Sequence, residues 1–290
     1  MTPTLVRNHL DTGSSASADA GSHARDRAEI QERMLAPLYE AVYDRLEVGA
    51  ATRMLSLGCG SGLAMLVAAA RGAYVTGVDF DRQRLTPARA RLLSEAGRDD
   101  APARPAHRTR LSAGGRPAAA GPDGTPYNLI TVFEPVGCTA GDSEGLVPAL
   151  EAAVPLAVRG ATVVLSGWGP PERCATAAVL RVAARLAGSA RPAPAGPGDW
   201  RPTLRDDLEE VAARAGLKPD GSGRVSCPFG YADTNSAVRG LLSTGLFDAA
   251  VRAAGRPRVE EEVAQALRPY RRRDGTVWMP NVFRYLVCAA

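Results

Sequence analysis

The sequence predicts an α/β fold built on a mostly parallel β-sheet. Three features predict it. The apolar strand Met54–Leu57 runs straight into the glycines Gly58, Gly60 and Gly62. An apolar helix, Leu63–Ala70, follows at once, and Tyr74–Val78 then reads as a second strand. Strand, tight loop, helix and strand in that order make a βαβ unit, the beginning of a parallel sheet.

Other elements follow along the chain. Residues 1–27 are rich in Ser, Ala, Asp and Gly without apolar periodicity, which predicts a disordered tail ahead of one domain over 28–290. From Glu29 the pattern turns helical, with Ile30, Met34, Leu38 and Val42 four residues apart and Leu35 and Tyr39 beside them. The Pro-, Gly- and Ala-rich stretch 101–125 yields no assignment. Tyr127–Phe133 reads as a buried strand, Leu146–Val158 as a helix, Ala161–Ser166 as a strand and Glu172–Leu186 as a helix. A Pro/Gly linker covers 188–202. Thr203 reads as the N-cap of the next helix, with Asp206 three residues on, and Gly216 ends that helix. Val225–Phe229 and Val277–Val287 read as the last two strands. Between them, about 230–275 is a helical insertion long enough to act as a lid.

Composition narrows the function classes. In 290 residues the formal net charge is only +4, and its basic part is nearly all arginine, Lys218 being the single lysine. Arg271-Arg272-Arg273 is a short run before the turn Asp274-Gly275 and reads as a solvated loop. No basic-aromatic face for nucleic acid is apparent. No apolar run approaches the ~20 residues that span a membrane, and the start lacks a secretory pattern, so a cytoplasmic chain is expected. The five cysteines (Cys59, Cys138, Cys174, Cys227, Cys288) and three histidines (His9, His23, His107) have no metal-like spacing. No metal is expected.

Glycines between a strand and a helix let a nucleotide lie against bare backbone at the helix N-terminus. About twenty residues on, Asp79 ends the strand Val75–Asp79, where a carboxylate can accept hydrogen bonds from both ribose hydroxyls. The dinucleotide fingerprint wants Gly or Ala at position 63, where this chain has Leu63. That argues against NAD and FAD.

The run Leu55-Ser56-Leu57-Gly58-Cys59-Gly60-Ser61-Gly62, followed by Thr76-Gly77-Val78-Asp79, resembles motifs I and II of the class I S-adenosylmethionine (SAM)-dependent methyltransferases. The resemblance extends through Leu129–Phe133, Leu156–Gly160, Val163–Gly169, Cys227–Asp233 and Asn281–Val287, and so over about 29–289, towards a bacterial small-molecule group. It implies a Rossmann-like seven-stranded sheet whose last strand is antiparallel, with SAM as cofactor and S-adenosylhomocysteine as product. It also implies a small-molecule acceptor methylated on O, N or C, in bacterial secondary metabolism such as antibiotic biosynthesis, and a monomer or homodimer with no nucleic-acid or membrane partner. Gly58, Cys59, Gly60, Gly62, Asp79, Phe80, Phe133 and Tyr39 form the implied cofactor set.

This chain departs from the family pattern in three places. Ser56 stands where an acid usually braces the glycine loop, Arg108–Gly115 offers no acid after the third strand, and Asn128 replaces the aspartate that opens the fourth. These departures keep two alternatives open, a repurposed SAM-binding enzyme such as a cyclase and a non-catalytic partner protein.

Methyl transfer is mainly proximity and alignment, so a base is optional. Glu134, at the carboxyl end of the fourth strand and followed by Pro135, is the catalytic candidate, able to orient or deprotonate an acceptor; a loop residue or a cofactor contact is the alternative. Asp142 reads as a solvated or capping acid and His107 as a surface residue. Tyr43, Trp168, Tyr231, Asn235 and Arg239 are the substrate-binding candidates. For Tyr39 and Tyr43, one turn apart, core packing is the competing reading.

Overall fold

The structure, a computed structural model, describes residues 22–93, 108–114, 117–188 and 200–290. His9, His107, most of the 188–202 linker and part of 101–125 lie outside the described residues.

Among the described residues, nine strands form two sheets. The large one comprises β1 (Arg53–Leu57), β2 (Tyr74–Asp79), β3 (Thr109–Ala113), β4 (Tyr127–Val136), β5 (Ala157–Trp168), β6 (Lys218–Ser226) and β9 (Val282–Ala289); β7 (Phe229–Tyr231) and β8 (Val277–Met279) pair separately. The large sheet has the order β3-β2-β1-β4-β5-β9-β6. Its first five strands pair in parallel, and β9 runs antiparallel to both β5 and β6. This is the seven-stranded, mostly parallel sheet with an antiparallel last strand that the sequence implied.

The helices are α1 (Ala36–Arg45), α2 (Leu63–Ala70), α3 (Leu85–Leu93), α4 (Leu146–Ala153), α5 (Ala175–Leu186), α6 (Asp207–Arg214), α7 (Thr234–Leu242), α8 (Asp248–Ala254) and α9 (Arg256–Ala266). Successive strand residues feed opposite faces of the sheet, because strand side chains alternate. Met54, Val75 and Phe133 join the core on one face, while Leu55, Val78 and Val132 join the core on the other. The first core also holds Leu241, Phe247, Val259 and Val263 of the helical insertion. The insertion therefore shares the domain's core and is not a detachable flap.

Several boundaries differ from expectation. Residues 22–26 are helical and run into a π-type turn, Arg27–Gln31, and a 3-10 turn, Glu32–Leu35. The tail therefore ends earlier than residue 27: Ala28 is buried and Asp26 pairs with Arg239, partners that composition cannot show. Thr203 does not cap α6. The Asp207 carboxylate takes the Leu204 N–H at 2.8 Å and both Arg201 Nη atoms, at 2.7 and 3.0 Å, so an ion-paired acid outcompetes a hydroxyl and the helix starts later.

The helix from Leu146 stops at Ala153, just before Pro155, and β5 begins at Ala157. Each of the last two predicted strands is two strands, broken at Pro228 and Pro280, since proline has no N–H for the ladder. Buried Asn281 secures the second break: its Oδ1 accepts the Thr176 N–H at the start of α5, and its Nδ2 donates to the Met279 carbonyl.

Candidate active site

The glycine loop is built by backbone necessity. Gly58, Gly60 and Gly62 have φ of 64°, 55° and 79°, in the left-handed region that side chains disfavour. A Cβ on Gly58 would point at Glu134 Oε2 (3.7 Å), and one on Gly60 at Arg84 Nη2 and Glu32 Oε1 (3.4 and 3.5 Å). Gly62 instead faces inward, where a Cβ would meet Leu92 and Ala88 at 3.0 and 3.1 Å. Gly58 and Gly60 keep a cavity open, and Gly62 packs the loop onto α3.

That cavity, of about 100 Å³, opens at the carboxyl ends of β1 and β4. Tyr39, Gly58, Cys59, Gly60, Phe133, Glu134 and Trp168 line it, together with Ser56. Asp79 and Phe80 do not line it. Asp79 sits just behind, 3% exposed, with Oδ2 accepting the Gly60 N–H at 2.8 Å and Oδ1 the Asp81 N–H at 2.9 Å. Phe80 beside it is 74% exposed.

Charged groups surround the glycine loop. Glu134 Oε1 lies 2.7 Å from Arg27 Nη2, and Oε2 lies 3.0 Å from Arg84 Nη2. Burial alone would raise the Glu134 carboxyl, but the two guanidiniums outweigh it and hold the pKa down at about 2. Glu134 is therefore ionised with both oxygens engaged, a poor proton acceptor, and it sits within β4 rather than in a loop beyond it. Burial likewise opposes the Arg84 charge, yet Glu134 and Asp79 raise its pKa. Arg84 Nε is buried without a hydrogen-bond partner, 3.8 Å from Asp79 Oδ2. Glu32 Oε1 accepts the Leu63 N–H at the start of α2 (3.3 Å), and Oε2 pairs with Arg91 (2.9 Å); burial outweighs Arg91 and raises its pKa.

The rest of the wall is apolar and aromatic. Tyr39 meets Phe133 with ring centroids 4.8 Å apart, and Trp168 meets Phe283 at 4.7 Å and Phe229 at 6.2 Å. Burial pushes the Cys59 thiol up to about 12, with Asp79 adding to it. It also pushes the Cys138 thiol and the Tyr39 phenol far above their usual ranges. Neither is a thiolate or phenolate near neutral pH.

Four substrate-binding candidates lie elsewhere. Tyr43 is fully buried, its hydroxyl donating to the Ala64 carbonyl at 2.9 Å, so it is core. Tyr231 donates to Gln31 Oε1 at 2.8 Å and braces the N-terminal turn. Arg239 pairs with Asp26 on the surface, and Asn235 is exposed on the first turn of α7. Trp168 alone of that group faces the cavity. Asp142 caps no helix but closes the loop after β4, its Oδ2 accepting the N–H groups of Gly137, Cys138 and Thr139 at 2.8 to 3.1 Å. Asn128 ties the start of β4 to Arg53 N and Ala51 O.

Sequence reasoning missed Arg27, Glu32, Arg84, Phe229 and Phe283. Charges in a helical run and aromatics in strands carry no local mark of a site. Among the described residues no helix is long and apolar enough to cross a membrane, and no cluster of side chains could hold a metal ion.

No family model matches the chain, and no curated protein matches it. Among solved structures it is similar to YjhP from E. coli, with 17% identity and TM-score 0.50 over 91% of this chain and 98% of that one. It is also similar to YcgJ from Bacillus subtilis, with 13% identity and TM-score 0.50 over 87% and 97%. A SAM-dependent methyltransferase from Thiobacillus denitrificans, in complex with S-adenosylhomocysteine, aligns at 15% identity and TM-score 0.47 over 94% and 99%. The likeness to YjhP and YcgJ is one of fold, a Rossmann-like, mostly parallel α/β sheet.

Proposed function

We propose that this chain, with its class I methyltransferase fold, is a SAM-dependent methyltransferase acting on a small molecule. One observation carries the reading: the cavity sits on a glycine loop where a Cβ at Gly58 or Gly60 would project into it, with the carboxylate that ends β2 just behind. Ordinary ligand pockets measure ~300–1,000 Å³. At about 100 Å³ this cavity needs Arg27, Arg84 or Glu32 to swing aside before a nucleoside enters.

The residues fit such a ligand. Gly58 and Gly60 let it approach the backbone. Asp79 would hold the ribose, since a carboxylate has about four acceptor sites and two here are in use. The unpartnered Arg84 Nε next to Asp79 marks Arg84 as the side chain that gives way. Exposed Phe80 is placed to meet a flat base at the end of β2, where Arg108–Gly114 supplies no acid. Bound SAM would supply a methyl group on a positively charged sulfur.

The chain's own residues would then align and enclose the acceptor. Glu134 would act by charge and position, with Arg27 holding its Oε1 when Arg84 moves. Proximity in a dry pocket can account for a large part of the rate without a base.

Titration calorimetry of the purified chain with SAM and with S-adenosylhomocysteine tests this. Micromolar binding of both is expected. Failure of both to bind to folded protein would reject the reading.

A further inference from the structure

We propose that the apolar half of the cavity is a ring-binding pocket for a flat, uncharged acceptor that brings its own nucleophile. This rests on the methyltransferase reading above.

The lining divides by chemistry. Arg27 and Arg84 pair with Glu134 beside the glycine loop, and Glu32 is engaged there by the Leu63 N–H and Arg91. The remainder is aromatic and aliphatic: Tyr39 and Phe133 on one side, Trp168, Phe229 and Phe283 together on another, with Leu246 closing it from the helical insertion. The close pairs are tilted, at 60° for Tyr39–Phe133 and 43° for Trp168–Phe283. The rings are nearly covered, Trp168 being 9% and Phe133 5% exposed, so a third ring would abut the edges that they turn to the cavity. An apolar cavity of ~150 Å³ takes up benzene, so the apolar half, which shares a cavity of about 100 Å³ with the charged side, takes a ring once side chains at its rim move outward.

Charge is excluded for a physical reason. A charged group moved into this half would lose its water without gaining a partner, because its walls are aromatic and aliphatic and the charged side chains lie at the glycine loop. The lining also offers no free proton acceptor. Cys138 and Tyr39 hold their protons, Glu134 keeps Arg27 on Oε1, and both Glu32 oxygens are engaged by the Leu63 N–H and Arg91. The acceptor must therefore react through an atom that is already nucleophilic, such as a free amine: its lone pair would take the methyl as the S–CH3 bond breaks, S-adenosylhomocysteine would leave, and the resulting ammonium would lose its proton to water after release.

Calorimetry with three probes of one skeleton, in the presence of S-adenosylhomocysteine, tests the pocket. We expect 2-naphthol to bind, and 2-naphthoate, charged at neutral pH, to bind at least about ten-fold more weakly. Decahydro-2-naphthol, which is not flat, should also bind more weakly. Leu246→Trp fills the pocket from its partly exposed rim and should abolish 2-naphthol binding while sparing S-adenosylhomocysteine. Cys138→Met is the second filling variant should the first melt early. Equal or tighter binding of 2-naphthoate, equal binding of the decahydro probe, or filled variants that still bind 2-naphthol would each overturn the proposal. The two readings also fail separately. If 2-naphthol binds and S-adenosylhomocysteine does not, the methyltransferase reading falls and the ring pocket stands; the reverse result removes only the pocket.

Discussion

The Arg27 guanidinium donates to Glu134 Oε1 at 2.7 Å and to the Thr244 carbonyl at 3.0 Å. One side chain from the N-terminal turn thus joins the end of β4 to the loop between α7 and α8. Arg84 holds the other Glu134 oxygen, so the carboxylate is the centre of a closed ion cluster over the glycine loop. Three parts of the chain that sequence reading treats separately meet at this one acid.

Glu134→Gln is expected to lower stability modestly and in a pH-dependent way. The folded group titrates near pH 2 against an ordinary 4.5, so its contribution is present above about pH 4.5 and fades as pH falls towards about 2. The side chain is 42% exposed, and solvent screening limits the effect to about 1 kcal/mol or less. Thermal melts of both proteins should differ at neutral pH and converge in acid. A constant gap across that range would mean that Glu134 acts by shape and not by charge.

Asp79→Ala should weaken SAM binding ten-fold or more, since a hydrogen bond to a charged group contributes ~1.5–3 kcal/mol. Asp79→Asn keeps an acceptor for the Gly60 N–H while removing the charge, and should fall between the two. Calorimetry on all three reads this directly. Equal affinities would remove Asp79 from the ligand's surroundings.

Gly62→Ala and Gly160→Ala separate strain from crowding. Both glycines have positive φ, 79° and 75°. A Cβ on Gly62 meets Leu92 and Ala88 at 3.0 and 3.1 Å, whereas one on Gly160 meets nothing within 4 Å. Gly160→Ala should cost about 1 kcal/mol from backbone strain. Gly62→Ala should cost roughly 1–3 kcal/mol more through overpacking. Denaturant midpoints would show the ranking, and equal losses would make strain the only term.

Asp207→Ala should destabilise by roughly 2–3 kcal/mol, because it strands the Arg201 guanidinium and the Leu204 N–H together. A double-mutant cycle with Arg201→Ala checks it. Additive losses would show that the pair is not coupled.

The strand–glycine–helix–strand run was legible because each of its signals is local. Apolar period, tight turns and a terminal acid are written within residues 53–79, and Leu63–Ala70 emerged with the bounds its pattern implied. The antiparallel last strand followed from resemblance to a family, not from periodicity. Strand breaks at Pro228 and Pro280 were in principle readable, since a missing N–H is a local fact, but each apolar run continued past its proline and masked the break.

The site's outer half was not legible. Arg27 and Glu134 are 107 positions apart, Arg84 and Glu134 are 50, and nothing near any of them marks the others. Tyr39 and Tyr43 share a helix and a residue type, yet one lines the cavity and the other is sealed against Ala64. Tyr231, Asn235 and Arg239 have the right chemistry for substrate contact, but they face the N-terminal segment or the surface. By itself the sequence determined which backbone shapes the chain adopts, because glycine freedom and apolar spacing act over a few residues. Tertiary structure alone decided which side chains share the cavity, because helix rotation and the pairing of distant charges depend on packing between elements far apart in the chain.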